Sequence, residues 1–320
     1  MIDIGTKKIP CIDAHTHVFP TIDGIRFRDK KHKSAKYGVT TVDGEPVQFL
    51  APEFVDSNSP LPVYEQYMKI CGIDKAVFPQ SPAYGYHNDF MDQVLNSKPG
   101  VYQTTGVAYP CDGEERFMRE AVEALDNRGY IALKFEMPDT PFKTDDPSNA
   151  FVFKTLMERN KYCMIDMGWH KTEWDFPIEM ITNTVREYKD LTFIFPHLGI
   201  SHLWDINEYE KFECLKKMLA LLDYNENVWF DISGLTFITA DFDSYPYPYC
   251  QKVLKTVKEM IGFDHVMWGT DYPCVTLQSS YAYSLDYVRK ECDFLTVEDK
   301  ENLFYKVADK VWFGIDHGDN

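Results

Sequence analysis

Basic residues are the scarce class in this 320-residue chain: 33 Lys and Arg stand against 50 Asp and Glu, a formal net charge of −17. A phosphate backbone needs a basic face, so nucleic acid is excluded as a general partner. The balance says little about a small substrate, because one arginine in a pocket overrides the global field. A disulfide framework is missing too. The eight cysteines (Cys11, Cys71, Cys111, Cys163, Cys214, Cys250, Cys274, Cys292) include no CxxC pair, and in a chain of this length they read as reduced, buried thiols. The opening MIDIGTKKIP has no apolar signal core. No run approaches the roughly 20 apolar residues of a membrane span. These absences lead us to expect a cytoplasmic protein without a membrane partner. Internal repeats, low-complexity tracts and a convincing linker are also lacking, so residues 1–320 are expected to form a single domain.

What is present is regular alternation. Short apolar or β-branched runs occur at 9–15, 75–81, 101–110, 130–137, 162–169, 191–199, 227–235 and 265–273. Stretches with helical spacing lie between them, among them 114–129, 151–161, 212–222 and 249–262. Asp112 and Gly129 bracket the first of these as caps. Eight strands alternating with helices predict an α/β fold with an all-parallel sheet. Barrel closure is the economical form at this length, and a doubly wound open sheet is the alternative. Residues 20–60 lack a sustained period and are basic in their first half. They are expected to be a long loop insertion after strand 1, either a lid over the barrel mouth or a solvated excursion.

Polar residues recur at the strand ends. His15 and His17 follow the first run; Lys134 and Glu136 lie in the fourth, Asp166 in the fifth, His197 at the end of the sixth and Asp271 at the end of the eighth. In an extended segment, i and i+2 share a face, so the two imidazoles of HTH project together as half of a metal site. Taken singly, each residue has a plain structural reading: a packed histidine, a helix cap, or a Lys134 paired with Glu136 or Asp166. Taken jointly, they are a set that could converge at one barrel mouth.

The stretches DAHTH (13–17), PHLG (196–199) and GTDYP (269–273), in that order, resemble three signatures of the amidohydrolase superfamily, most closely its amidohydrolase-2 branch of metal-dependent hydrolases, lactonases and nonoxidative decarboxylases. The tail ENLFYKVADKVWFGI (301–315) resembles that branch's closing helix. The resemblance implies a single distorted (β/α)8 TIM barrel. It implies metal ligation by His15 and His17, a catalytic His197, and an Asp271 that binds the metal and takes a proton from water. Asp166 stands where the branch usually carries a ligating histidine. It is expected to be a fourth ligand, with a salt bridge to Lys134 as the competing reading. Lys134 is expected to be a substrate-facing lysine beside one metal rather than a bridge between two.

The cofactor expected is one divalent ion, zinc first, with manganese or iron favoured if Asp166 adds a second hard oxygen ligand. Asp13 would orient a ligand imidazole or hold the barrel's first turn. Trp169, His170 and Tyr272 are candidate substrate contacts, with Trp204 and Phe237 as further aromatics that line the pocket or pack between loops. The reaction expected is metal-assisted hydrolysis of an amide or lactone. Nonoxidative decarboxylation on the same scaffold, a metal-free lactonase and a catalytically silent binding barrel are the alternatives. The partners expected are a small-molecule substrate and, at most, a second copy of the chain in a homodimer.

Overall fold

The computed structural model describes residues 1–26, 30–107, 122, 125–136, 143–168, 177–200 and 212–315. Eight strands pair in parallel in chain order: Ile12–Asp13, Lys75–Phe78, Tyr102–Val107, Ala132–Glu136, Tyr162–Asp166, Phe193–Phe195, Val228–Asp231 and Val266–Met267. They fall on the eight runs picked out from the sequence and are called strands one to eight. The eighth returns to the first, where the Ala14 N–H donates to the Trp268 carbonyl at 3.0 Å. The sheet therefore closes as the expected (β/α)8 barrel. Helices Ala150–Glu158, Glu213–Leu219 and Pro248–Ile261 lie within a few residues of their expected limits. The expected helix 114–129 falls largely outside the described residues. No disulfide joins the seven described cysteines. Among the described residues, no helix is long and apolar enough to cross a membrane.

Period-two alternation sorts each strand into an outer and an inner row. Leu133, Phe135, Cys163, Ile165, Phe193, Phe195, Val228 and Phe230 belong to the large core shared with the helices. The inner row begins with Ala132, Met164, Ile194, Trp229 and Met267, which join Ile12 and Val77 in a second apolar cluster. Val307, Val311 and Trp312 of helix Val307–Phe313 complete that cluster and plug the N-terminal end of the barrel. Two residues further along the same rows stand Lys134, Asp166 and Asp231. The barrel interior thus changes from apolar to ionisable within one step of alternation, at the C-terminal end of its strands.

The insertion is not the irregular loop expected. It holds a four-stranded antiparallel sheet of Asp23–Arg26, Lys30–Ser34, Val39–Val42 and Glu45–Gln48. Asp43 and Gly44, at φ 51° and 93°, make the tight turn between its last two strands. An Asp-Gly pair with both φ values positive is the favoured two-residue hairpin loop. The sheet is tied down at its roots. Phe19 and Ser59 exchange backbone hydrogen bonds of 2.8 and 3.0 Å, and the Asp23 N–H donates to the Tyr84 carbonyl at 3.0 Å. Gly24 lies so close to the second crossover that a β-carbon there would sit 2.2 Å from the Pro82 carbonyl oxygen. The sheet therefore docks on the 81–85 segment. From that segment the Tyr84 ring stacks on Phe19 at 4.2 Å and meets the His17 ring edge-on at 5.0 Å.

Candidate active site

His15 and His17 lie just beyond the last hydrogen-bonded residue of strand one, where the chain stays extended between its two neighbours. The Thr16 N–H donates to Val77 on one side, while the His15 carbonyl accepts from Thr270 and Asp271 on the other. Both imidazoles point inward, with ring centroids 5.0 Å apart. His15 Nδ1 lies 2.9 Å from Asp231 Oδ2, and His17 Nδ1 lies 2.7 Å from the Pro79 carbonyl. Each Nδ1 carries the proton toward a pure acceptor, so in the neutral ring each Nε2 presents a lone pair. His15 Nε2 is buried and has no hydrogen-bond partner among the described residues. His17 Nε2 faces Asp271 Oδ1 at 3.1 Å, one acceptor against another. Burial drives the His15 imidazole down to about 4 against the pull of Asp231, so the ring is neutral at physiological pH.

The ligand atoms of His15, His17 and Asp271 lie within 4.8 Å of one another. His15, His197 and Asp231 form a second such group. In that group, however, Asp231 Oδ2 is bound to His15 and Oδ1 already accepts from the backbone N–H groups of His197 and Ser233 and from the Ser233 hydroxyl. The first group leaves ligand lone pairs available, and it fits a divalent cation. Burial raises the Asp271 carboxyl, but His17 beside it and the other nearby histidines outweigh it and hold the group below its ordinary value.

Asp13 does not touch an imidazole. It accepts from the Thr270 N–H at 2.9 Å, the Thr270 hydroxyl at 2.7 Å, Tyr281 at 2.8 Å and Tyr64 at 3.1 Å. It thereby fixes the turn that presents Asp271, whose own φ is 61°. Burial pushes the Asp13 carboxyl up to about 7 despite those four donors.

His197 stands in a tight turn after strand six, with φ 56° followed by Leu198 at 57°. Two successive non-glycine residues in the left-handed region cost about 1–2 kcal/mol each, and such strain persists where the surroundings over-determine it. Nδ1 of His197 lies 2.8 Å from the Ser233 carbonyl and 2.9 Å from its hydroxyl. Nε2 is left toward the mouth, 3.8 Å from Asp166 Oδ2. Burial opposes a charge on this ring, but Asp166, Asp271 and Asp231 outweigh it and raise its pKa. Gly234 leaves the space between the catalytic candidates: a β-carbon there would lie 3.1 Å from His197 Nδ1 and 3.3 Å from Asp271 Oδ2.

Asp166 sits on Lys134 rather than in either ligand group. Lys134 Nζ is 3.1 Å from Asp166 Oδ2 and 3.3 Å from Glu136 Oε1, and Asp166 Oδ1 accepts from the Gly168 N–H at 2.9 Å. The strand register explains the pairing, since Glu136 lies opposite Asp166 and Lys134 opposite Met164. Burial raises the Asp166 carboxyl, yet Lys134, His197 and the Gly168 N–H hold it well below the usual carboxylate range. Burial likewise opposes the Lys134 charge, and Asp166 and Glu136 more than restore it.

Tyr272 is fully buried among Phe54, Tyr64, Tyr67 and Tyr281, in the aromatic packing behind strand one. Trp169, His170 and Trp204 lie outside the described residues. Phe237 packs against the main core. Asp231, Ser233 and Gly234 are the site residues the sequence reading passes over. The available signal was phase, since Asp231 shares the inner row with Trp229.

The amidohydrolase family model matches residues 12–314. The chain belongs to the amidohydrolase family. Within it, the matching model and the three signatures are those of the amidohydrolase-2 branch. A probable 2-pyrone-4,6-dicarboxylic acid hydrolase from Acinetobacter baumannii superposes with a TM-score of 0.67 at 15% identity, covering 96% of this chain and 100% of its own. An amidohydrolase from Burkholderia multivorans with bound zinc gives a TM-score of 0.69 at 15% identity, covering 94% and 98%. A 5-carboxyvanillate decarboxylase from Sphingomonas paucimobilis gives 0.56 at 17% identity, covering 80% and 84%. At these identities the likeness is one of fold. Among curated proteins, none matches the sequence.

Proposed function

We propose that this amidohydrolase is a metal-dependent hydrolase that directs water at the amide or lactone carbonyl of a small cyclic or aromatic substrate. The observation that carries the reading is the convergence of His15 Nε2, buried and without a hydrogen-bond partner among the described residues, on His17 Nε2 and Asp271 Oδ1, which face one another. Charge supports it. Asp166, Asp231, Asp271 and Glu136 bring four carboxylates to the mouth, against the Lys134 ammonium. A divalent cation held by His15, His17 and Asp271 offsets part of that excess. With Asp166 occupied by Lys134, two imidazoles and one carboxylate make a donor set suited to zinc.

Bound there, the ion supplies Lewis acidity, polarising a carbonyl and acidifying water. The chain's own residues do the rest. Asp271, held ionised, accepts the proton of the attacking water. His197, fixed through Nδ1 on Ser233, takes a proton at Nε2 and in that form offers Nε2–H to the developing oxyanion or the leaving group. Two N–H groups of Lys134 hold Asp166 and Glu136, and the third is offered to a substrate oxygen.

The test pairs elemental analysis of the purified protein with turnover on a lactone and amide panel. About one zinc per chain, lost in His15→Ala/His17→Ala, together with hydrolysis that a chelator abolishes, is the expected result. Carbon dioxide release from carboxylated phenols, without hydrolysis, would replace this reading with the decarboxylase one. An absence of transition metal even after divalent loading would remove the metal from it.

A further inference from the structure

One carboxylate touches two of the three histidines of the proposed chemistry, His15 and His197, and it does so through different oxygens. Asp231 Oδ2 lies 2.9 Å from His15 Nδ1. Asp231 Oδ1 takes the backbone N–H of His197 at 3.1 Å, the backbone N–H of Ser233 at 3.0 Å and the Ser233 hydroxyl proton at 2.5 Å. Having donated that proton, the Ser233 hydroxyl turns a lone pair toward His197 Nδ1 at 2.9 Å. Asp231 is 1% exposed and Ser233 fully buried, so water does not compete for these bonds.

We infer that Asp231 is a positioning residue that sets both histidines at once, holding His15 in the Nδ1–H tautomer through Oδ2 and anchoring the left-handed backbone of His197 through Oδ1. The His15 arm rests on the metal reading above only for its consequence, the free Nε2. The tautomer itself needs no metal. The two oxygens are not interchangeable. Three donors converge on Oδ1, so that position demands an oxygen. An asparagine at 231 must therefore keep its carbonyl there and turn its NH2 toward His15. A donor facing His15 Nδ1 makes that nitrogen the acceptor and moves the ring proton to Nε2. Asp231→Asn, nearly isosteric, should therefore convert a free ligand lone pair into an N–H aimed into the cluster.

Long-range proton–nitrogen correlation spectra of histidine-labelled protein, stripped of metal, read this directly, with His15 assigned by its loss in His15→Ala. The wild type should show His15 protonated on Nδ1, and Asp231→Asn should show it protonated on Nε2. Zinc affinity, measured by chelator competition, should fall by about 10–100-fold in Asp231→Asn, the usual effect of losing such a partner. Ser233→Ala should leave the His15 tautomer and zinc affinity as in the wild type while shifting the His197 signals, because its hydroxyl serves only that arm. A wild-type His15 protonated on Nε2 overturns the inference even if Asp231→Asn does not fold. An Asp231→Asn protein that keeps the Nδ1–H tautomer overturns it as well. A wild type with the expected tautomer but no affinity for any divalent ion upholds the positioning role and removes the metallohydrolase reading instead.

Discussion

Replacing Lys134 with methionine removes the ammonium that Asp166 and Glu136 share while keeping the side-chain volume. Lys134 is 2% exposed, so both carboxylates lose their cation in a nearly dry place. At an effective dielectric of about 20, its contacts of 3.1 and 3.3 Å each correspond to about 5 kcal/mol of Coulomb energy. Desolvation of the three ions and repulsion between the carboxylates offset much of that, and removing one member of such a buried set costs about 3–5 kcal/mol. With a urea slope of about 3 kcal/mol per molar, the unfolding midpoint should drop by about 1–1.7 M. The loss should also depend on pH. A carboxyl whose folded pKa is depressed, as Asp166 is, stabilises the fold above its unfolded value of about 3.9 and loses that contribution as the pH falls through the folded value. In Lys134→Met, burial works without the lysine to oppose it and raises the carboxyl, so the folded variant takes up protons at a higher pH than the wild type. The gap between the two proteins should be widest near neutrality and narrow on acidification. Asp166→Asn added to Lys134→Met should recover about half of the loss, since the sites share a partner and are not additive. A difference under about 1 kcal/mol at neutral pH, or one that stays constant as the pH falls, would refute the buried-charge account.

Other substitutions probe the same mouth. His197→Asn should keep its metal and lose turnover by about 10²–10⁴-fold, because an amide cannot shuttle a proton; metal lost along with activity, by elemental analysis, would make His197 a ligand. Gly234→Ala should destabilise by about 1–2 kcal/mol, since φ is +69° there, and should lower kcat more than it raises KM by pressing on His197 and Asp271. Asp13→Ala leaves four donors without their shared acceptor and should cost about 3 kcal/mol or more in thermal or urea unfolding; a smaller loss would show that water or a neighbour takes its place.

The eight strands are readable from the chain because each is a short apolar or β-branched run, and the order of DAHTH, PHLG and GTDYP names the branch. Which polar residues meet is set by register, which a single sequence does not carry. Opposed positions Glu136 and Asp166 bring a lysine from strand four onto Asp166, the competing reading of that position, and IDMG by itself does not choose it over ligation. Alternation could have said more. Asp231 shares the phase of Trp229 and must face the site. In the insertion, the basic run hides the pairing of strands with polar faces, and Asp43-Gly44 was the legible clue to the hairpin.

Barrel closure has a consequence for how the site comes into being. His17 and Asp271 are 254 residues apart in sequence and meet only where the first and eighth strands join. No fragment of the chain lacking either end can hold the three converging acceptors. A cation shared by these residues would act as a reversible staple across that seam. A permanent link closing a loop of this length removes about 5 kcal/mol of unfolded-state entropy. If these residues hold an ion, its occupancy and the integrity of the barrel are linked, and a chelator should loosen the seam before any other part of the fold.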